Sequence, residues 1–549
     1  MLTKAWLVVL ALAGGCVAQP AMPDRLVYSP TNLAVDENVT RLIALMERAH
    51  KAGYTGILLA DSKFARLEDL PKHYFENCAK VKAAAGREGI EIIPAVFPVG
   101  YSNDLLWHDP NLAEALPVRD AVFVVEGGVG RCRPDQKVVL PGGDMADLKK
   151  WSWHDEVVVS DGECATVVDP KGKNARMSQK LTLTPYRQYH VSVRIRTKDF
   201  RGTPEVKALA ADAKPGEQAD SLVFSSLGVK PTQDWTVHHA VFNSLEHSQV
   251  SLYFGCWDGS TGALSWDDAA IEEVGLMNVV RRAGAPLSVR VEVEDGKVTP
   301  LVEGTDYEPI VDPRMGHPPA LWAGEYEVWH EPPVIKMKRP FTDGTRLRVS
   351  YHHVVTVNDG QVMICPSEPK TLDLLRDQAR RMHELWHAKA YFMSHDEIRC
   401  LNQDESCLSR HLSPGQILAD NARACVKILK ELNPSGRIYV WSDMFDPNHN
   451  AKAGNYYLVR GDLTGSWEGL DKDVIVAAWY FDKRVESMGF FAARGNPVLI
   501  AGYYDGPVGQ IRQWIDAVPA KADFRGVMYT TWQHKYGDVE AFGGKAWGK

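Results

Sequence analysis

Two runs of strand–helix alternation bracket a long stretch that has none, and this limits the fold more than any other feature of the 549-residue chain. In the first run, a short strand over 25–28 is followed by Val39, Leu42, Ile43, Met46 and Ala49 at helical spacing, closed by Gly53. A buried strand over 54–60 closes on Asp61, a helix over 74–85 follows, and a third strand covers 90–97. Near-continuous apolar strands between helices are the mark of a parallel sheet covered on both faces. From about 130 to 275 the period changes to two, at 156–159, 179–183, 189–195 and 250–254 with turns between, as in an antiparallel β-sandwich. Residues 280–356 are also β-rich. At 362 the alternation resumes. Leu372, Leu375, Ala379, Met382 and Trp386 mark one helical face, Ser413-Pro414-Gly415-Gln416 reads as a capping box, and strands are predicted at 390–393, 437–441, 474–479, 498–501 and 527–531. Three strands before the interruption and five after it predict an α/β fold: a (β/α)8 TIM barrel interrupted after strand 3 by a jelly-roll β-sandwich and a small β-rich extension. The expected divisions are a signal peptide over 1–18, barrel strands 1–3 over 19–130, the sandwich over 131–276, the extension over 277–360 and barrel strands 4–8 over 361–549.

The first residues fit a targeting role. Lys4 precedes an apolar run over 5–16 that ends in small residues, a secretory signal too short to span a bilayer. Export to the periplasm or beyond is therefore expected. The Leu12-Ala13-Gly14-Gly15-Cys16 stretch also resembles a lipoprotein box, which would place a lipid anchor on Cys16. In an oxidising compartment the remaining eight cysteines could pair, with Cys164–Cys256 and Cys400–Cys407 the pairs to check. No CxxC spacing appears, the expectation is no metal, and no cofactor motif appears. A formal net charge of -8 without a basic run excludes nucleic acid as a partner on electrostatic grounds. Oligomeric state is left open.

The candidate site lies at the C-terminal ends of the predicted strands, where parallel barrels carry their chemistry. The strand over 390–393 runs straight into Ser394-His395-Asp396-Glu397. Two adjacent carboxylates there are costly to bury without a purpose, although Asp396 as a helix N-cap would also account for them. The later strands end alike: Trp441 and Asp443 after the fifth, Trp479 and Tyr480 after the sixth, Tyr503, Tyr504 and Asp505 after the seventh, Trp532 and Gln533 after the eighth. Aromatic rings stack on the apolar faces of a pyranose while carboxylates and amides bond its hydroxyls, so an oligo- or polysaccharide substrate is expected.

The segment Cys365-Pro366-Ser367-Glu368-Pro369-Lys370-Thr371, a helix, and then Tyr391-Phe392-Met393-Ser394-His395-Asp396-Glu397 resembles the family 20 glycoside hydrolases, the β-N-acetylhexosaminidases. Residues 89–94 resemble that family's third strand, and Tyr504-Asp505 its region near strand seven. The segment over 174–189 with its closing 265–271 is similar to carbohydrate-binding modules of jelly-roll type. The family resemblance implies substrate-assisted retaining hydrolysis of 2-acetamido-2-deoxy glycosides, an exception to the two-carboxylate scheme. It implies Glu397 as general acid and base, Asp396 orienting the acetamido group, Tyr503 or Tyr504 bonding its oxygen, and Trp441, Trp479 and Trp532 walling the sugar. His395, Tyr480, Asp443, Asp505 and Gln533 complete the expected binding set. Phe392 and His395 stand where the family has His and Gly, and strand one ends without its arginine, so sugar identity is not fixed by the resemblance. Two alternatives remain: a glycosidase using a second carboxylate such as Asp443 or Asp505, and a sugar-binding protein without catalysis.

Overall fold

The computed structural model describes residues 22–548 apart from 213–218, 258, 294–296 and 317–324. The expected signal peptide and the Cys16 anchor lie outside the described residues. Among the described residues, no helix is long and apolar enough to cross a membrane.

Eight parallel strands close a barrel: β1 (Asp24–Pro30), β2 (Gly56–Ala60), β3 (Glu91–Val96), β4 (Ala390–Met393), β5 (Arg437–Trp441), β6 (Ile475–Ala478), β7 (Val498–Tyr503) and β8 (Phe524–Thr530). Closure is through β1, which pairs with β2 along one edge and with β8 along the other. Side chains alternate as strands require. Leu26 and Tyr28 of β1 point inward with Leu58, Ile93, Phe392, Tyr439, Trp441, Leu499 and Met528, whereas Val27 and Ile57 face the surrounding helices. β3 meets β4 at Ala95–Phe392 and Val96–Met393, although nearly three hundred residues separate them in the chain.

Among the described residues the α-helices are α1 (Asp36–Ala52), α2 (Lys72–Glu88), α3 (Pro369–Trp386), α4 (Glu405–Leu408), α5 (Pro414–Leu432), α6 (Arg484–Arg494), α7 (Gln510–Ile515) and α8 (Val539–Trp547). The capping box forms as the sequence predicts: Ser413 Oγ accepts from Gln416 N at 3.2 Å, and Gln416 Oε1 accepts from Ser413 N at 2.9 Å.

The expected α/β class, with regular (β/α)8 alternation, needs correction. Among the described residues no α-helix joins β5 to β6, where the chain makes 3-10 turns at Asp443–Phe445 and Ser466–Gly469 and a two-residue strand at Leu458–Val459. α4 and α7 are short, at four and six residues. Beyond the barrel lie antiparallel sheets of five, five and six strands, so the chain as a whole is mostly β. Counting strands alone predicts a helix between each pair. A parallel connection needs only enough chain to cross back, and turns packed under α5 suffice here.

The two five-stranded sheets face each other, with Phe254 of one 6.0 Å from Trp266 of the other. The ends of this region meet: Cys132 Sγ lies 4.0 Å from the Glu273 carbonyl oxygen. The strand Leu116–Glu126, which the sequence reading placed with the barrel, pairs instead with Arg346–His353 in the six-stranded sheet. All eight described cysteines are free, and neither expected pair forms.

Candidate active site

The barrel mouth holds a cavity of about 760 Å³. Its walls are aromatic: Tyr28 of β1, Trp441 of β5, and Trp479, Tyr504 and Trp532 beyond β6, β7 and β8. Tyr28 stands edge-on to Trp441 at 5.8 Å and to Trp532 at 5.0 Å, while Trp479 and Tyr504 lie parallel 5.4 Å apart. Asp396 and Glu397 line the same cavity.

Consecutive strand residues point to opposite faces, so the backbone must turn for both carboxylates to reach one space. It does so after β4. Residues 394–399 form a loop rather than a helix start, and the next helix, α4, is capped by Asp404. Glu397 sits in the left-handed region at φ 49°, an uncommon conformation for a residue with a side chain. The loop is held at several points. Ser394 N donates to Val96 O at 2.8 Å, Glu397 N donates to Asp443 Oδ2 at 2.9 Å, and Gln361 Nε2 donates to Glu397 O at 2.9 Å. The neighbouring loop can approach only because residue 100 is glycine, where a Cβ would stand 1.9 Å from the Asp396 carbonyl oxygen. Gly100→Ala is therefore expected to displace Asp396 and Glu397 and, if the pair is catalytic, to lower kcat/KM by about 10²-fold. An alanine variant with wild-type kinetics would show that the loop position is unimportant.

The carboxylates are in different electrostatic settings. Glu397 Oε2 is ion-paired with Arg399 Nη2 at 2.8 Å and accepts from the Tyr101 hydroxyl. Arg399 is fixed in turn by Gln361 Oε1. Asp396 is half-buried; its carboxyl is pushed up to about 7, first by burial and then by the Glu397 charge. Asp443 is buried behind the pair, accepting also from Trp479 Nε1 and Asn450 Nδ2, each at 3.4 Å. Burial and then the Asp396 charge push it up to about 8.

Of the other expected residues, several stand away from the cavity lining. His395 is buried behind the loop, where its Nε2 lies 3.1 Å from Asn421 Oδ1. Burial lowers its pKa to about 4, so it is neutral. Tyr480 stacks on His449 at 4.4 Å. Tyr503 is buried and donates to Asp538 Oδ2 at 2.8 Å. Asp505 accepts from Thr531 Oγ1 at 2.6 Å and from the backbone N–H groups of Trp532 at 3.0 Å and of exposed Gln533 at 3.4 Å, fixing the turn beyond β8. Tyr503, Tyr504 and Asp505 have φ of 75°, 47° and 58°. Three successive left-handed residues cost about 1–3 kcal/mol each, and the turn they make brings Tyr504, not Tyr503, to the cavity.

Sequence reasoning overlooked the early-strand side. Asp61, Lys63, Tyr101 and Asp104 line the cavity. Lys63 is buried, with Nζ 2.9 Å from Ser62 Oγ and 3.9 Å from Asp61 Oδ1. Asp61 is committed to Tyr74 Oη at 2.9 Å and to Leu33 N at 2.8 Å, and Asp104 pairs with Arg66 at 3.4 Å. The signal was present: β2 ends on a carboxylate, the same criterion applied to the later strands.

No protein-family model matches this chain, and no curated protein matches it. The solved structures that resemble it include a rhamnosidase and several carbohydrate-binding modules. The rhamnosidase, from Novosphingobium sp. PP1Y, is similar over 93% of this chain and 55% of its own at 11% identity, with a TM-score of 0.29. A CBM4 structure covers 22% of this chain and 76% of its own at 19% identity, TM-score 0.18. The CBM22-1 xylan-binding domain of Paenibacillus barcinonensis Xyn10C covers 30% and 96% at 14% identity, TM-score 0.18. Likenesses at these scores do not establish a shared fold. None of these comparisons supports the family 20 resemblance, which rests on its motif residues alone.

Proposed function

We propose that this chain is a glycoside hydrolase that removes 2-acetamido-2-deoxy sugars, with Asp396 and Glu397 as its catalytic pair. One observation carries the reading: these carboxylates open onto a cavity lined by seven aromatic rings, while Asp443 and Asp505, the candidates for a separate nucleophile, are committed to backbone and side-chain donors outside its lining. A cavity of about 760 Å³ accommodates one or two sugar rings. The family 20 resemblance makes the substrate's own acetamido oxygen the attacking group, and it fits a lining whose other carboxylates, Asp61 and Asp104, are held by Tyr74, Leu33 and Arg66. The aromatic wall holds the ring, Tyr504, which lines the cavity, is assigned to bond the acetamido oxygen, and the carboxyl pair supplies one proton and one charge. The proton goes to the leaving oxygen, and the charge orients the acetamido N–H and stabilises the cationic bicyclic intermediate.

The division of labour is open to a second reading, which a specific contact favours. The resemblance makes Glu397 the proton donor. The Glu397–Arg399 ion pair favours the reverse at rest, with the proton on Asp396 and the charge on Glu397.

A panel of nitrophenyl glycosides tests the function. The 2-acetamido substrates should be cleaved and their 2-hydroxy counterparts hydrolysed poorly, and a thiazoline mimic of the intermediate should inhibit competitively. Efficient cleavage of 2-hydroxy glycosides would favour a direct nucleophile. Retention of glycans without cleavage of any substrate would favour a binding protein.

A further inference from the structure

Where the chain leaves the barrel after β3 and where it returns before α3, two thiols and two carboxylates meet in the interior. Glu114 lies on the outgoing segment, Cys365 on the returning one, Asp404 caps α4 and Cys407 lies within it. All four are buried. Cys365 Sγ and Cys407 Sγ are 3.6 Å apart, Cys407 Sγ is 3.4 Å from Glu114 Oε2, and Cys365 Sγ is 3.6 Å from Asp404 Oδ1. One ligand atom from each of the four lies within 4.8 Å of all the others.

The three shorter separations match the edges expected of a tetrahedral zinc site, and the remaining ones stay within 4.8 Å. Zinc–sulfur bonds of about 2.3 Å and zinc–oxygen bonds of about 2.0–2.2 Å at tetrahedral angles place ligand sulfurs about 3.8 Å apart and sulfur about 3.5 Å from oxygen. A disulfide would need the sulfurs at about 2.05 Å. The carboxylates are also oriented from outside, as metal ligands are. Glu114 Oε1 accepts from Gln403 N at 2.7 Å, and Asp404 Oδ1 accepts from Ser406 N at 3.1 Å and Cys407 N at 3.3 Å. Arg282 pairs with Asp404 Oδ2 and with Glu368, supplying one positive charge beside a group that carries four negative ones when both thiols are ionised.

We propose that Glu114, Cys365, Asp404 and Cys407 bind a zinc ion in a closed structural site. Two thiolates disfavour magnesium and calcium, and four protein ligands leave no open position for catalysis. Binding displaces the thiol protons and any proton held by Glu114, whose carboxyl is pushed well up by burial and then by the neighbouring Asp404. The site would staple both ends of the insertion to the segment that continues from the Asp396–Glu397 loop. CxxC spacing could not reveal it, because the two cysteines stand 42 positions apart and Glu114 comes from the far side of the insertion.

Metal analysis of the full chain, purified without added metal or chelator, should find about one zinc per chain. Chelation should lower the melting temperature and added zinc should restore it. Cobalt put in place of zinc should show thiolate-to-cobalt charge transfer in the near ultraviolet. Cys365→Ser/Cys407→Ser should abolish that band, whereas Cys78→Ser/Cys425→Ser should keep it. If the first variant fails to fold, the metal content and cobalt spectrum of the wild-type chain still decide. Less than a tenth of a metal ion per chain with no thermal response to zinc would overturn the proposal. So would a mass two daltons low from a Cys365–Cys407 disulfide, or a cobalt spectrum without a sulfur band.

Discussion

Asp396→Asn and Glu397→Gln should each lower the rate on glycosides with poor leaving groups by about two to four orders of magnitude. Their behaviour on activated aryl glycosides should differ. A leaving group that departs without a proton does not need the general acid, so the variant lacking the donor keeps much of its rate on nitrophenyl substrates. The variant lacking the orienting charge loses rate on both, because the acetamido group is no longer held for attack. The Arg399 contact at 2.8 Å predicts that Asp396→Asn is the leaving-group-sensitive variant. The reverse outcome would restore the donor role to Glu397. Near wild-type rates on natural glycans for both would remove the pair from the chemistry. The variants are expected to fold, since both carboxyls border the cavity and each replacement keeps its shape.

The pH profile gives the second large effect. With Asp396 as proton donor and its carboxyl pushed up to about 7, kcat/KM should hold below that pH and fall about tenfold per unit above it. If Asp396 must instead be charged, the profile should rise through the same region. Neighbouring Asp443, pushed up to about 8, broadens the limb because adjacent carboxyls titrate together. Stability follows with a definite sign. A carboxyl whose pKa is raised by folding binds more protons in the native than in the unfolded chain between its unfolded value, about 3.9, and its native one. Its contribution is therefore largest at low pH and is lost as pH rises towards about 8. Asp443→Asn should raise the melting temperature more at pH 8 than at pH 5. An equal effect at both would mean that Asp443 is not held protonated.

What the sequence determined by itself was local. Apolar runs at 54–60, 90–97 and 390–393 could only be buried strands, the period-two stretch beyond 130 could only be β-structure, and Ser413 to Gln416 formed its capping box as written. The rule that parallel strands carry chemistry at their C-terminal ends was enough to gather Asp396, Glu397, Trp441, Trp479, Tyr504 and Trp532, six residues that line one cavity. The tertiary structure decided direction and company. Tyr503 and Tyr504 are identical in composition and adjacent in the chain, and three left-handed residues select between them. Asp443 resembles Asp396 as a strand-end carboxylate, yet it is buried behind the Glu397 backbone because its partners come from other strands and loops. The connection from β5 to β6 formed turns where a helix was expected, since packing beneath α5, not local periodicity, determines how a chain crosses back. The meeting of Glu114, Cys365, Asp404 and Cys407 was equally invisible: Asp404 and Cys407 share one short helix and its cap, but Glu114 and Cys365 join them only when both ends of the insertion return to the same edge of the barrel.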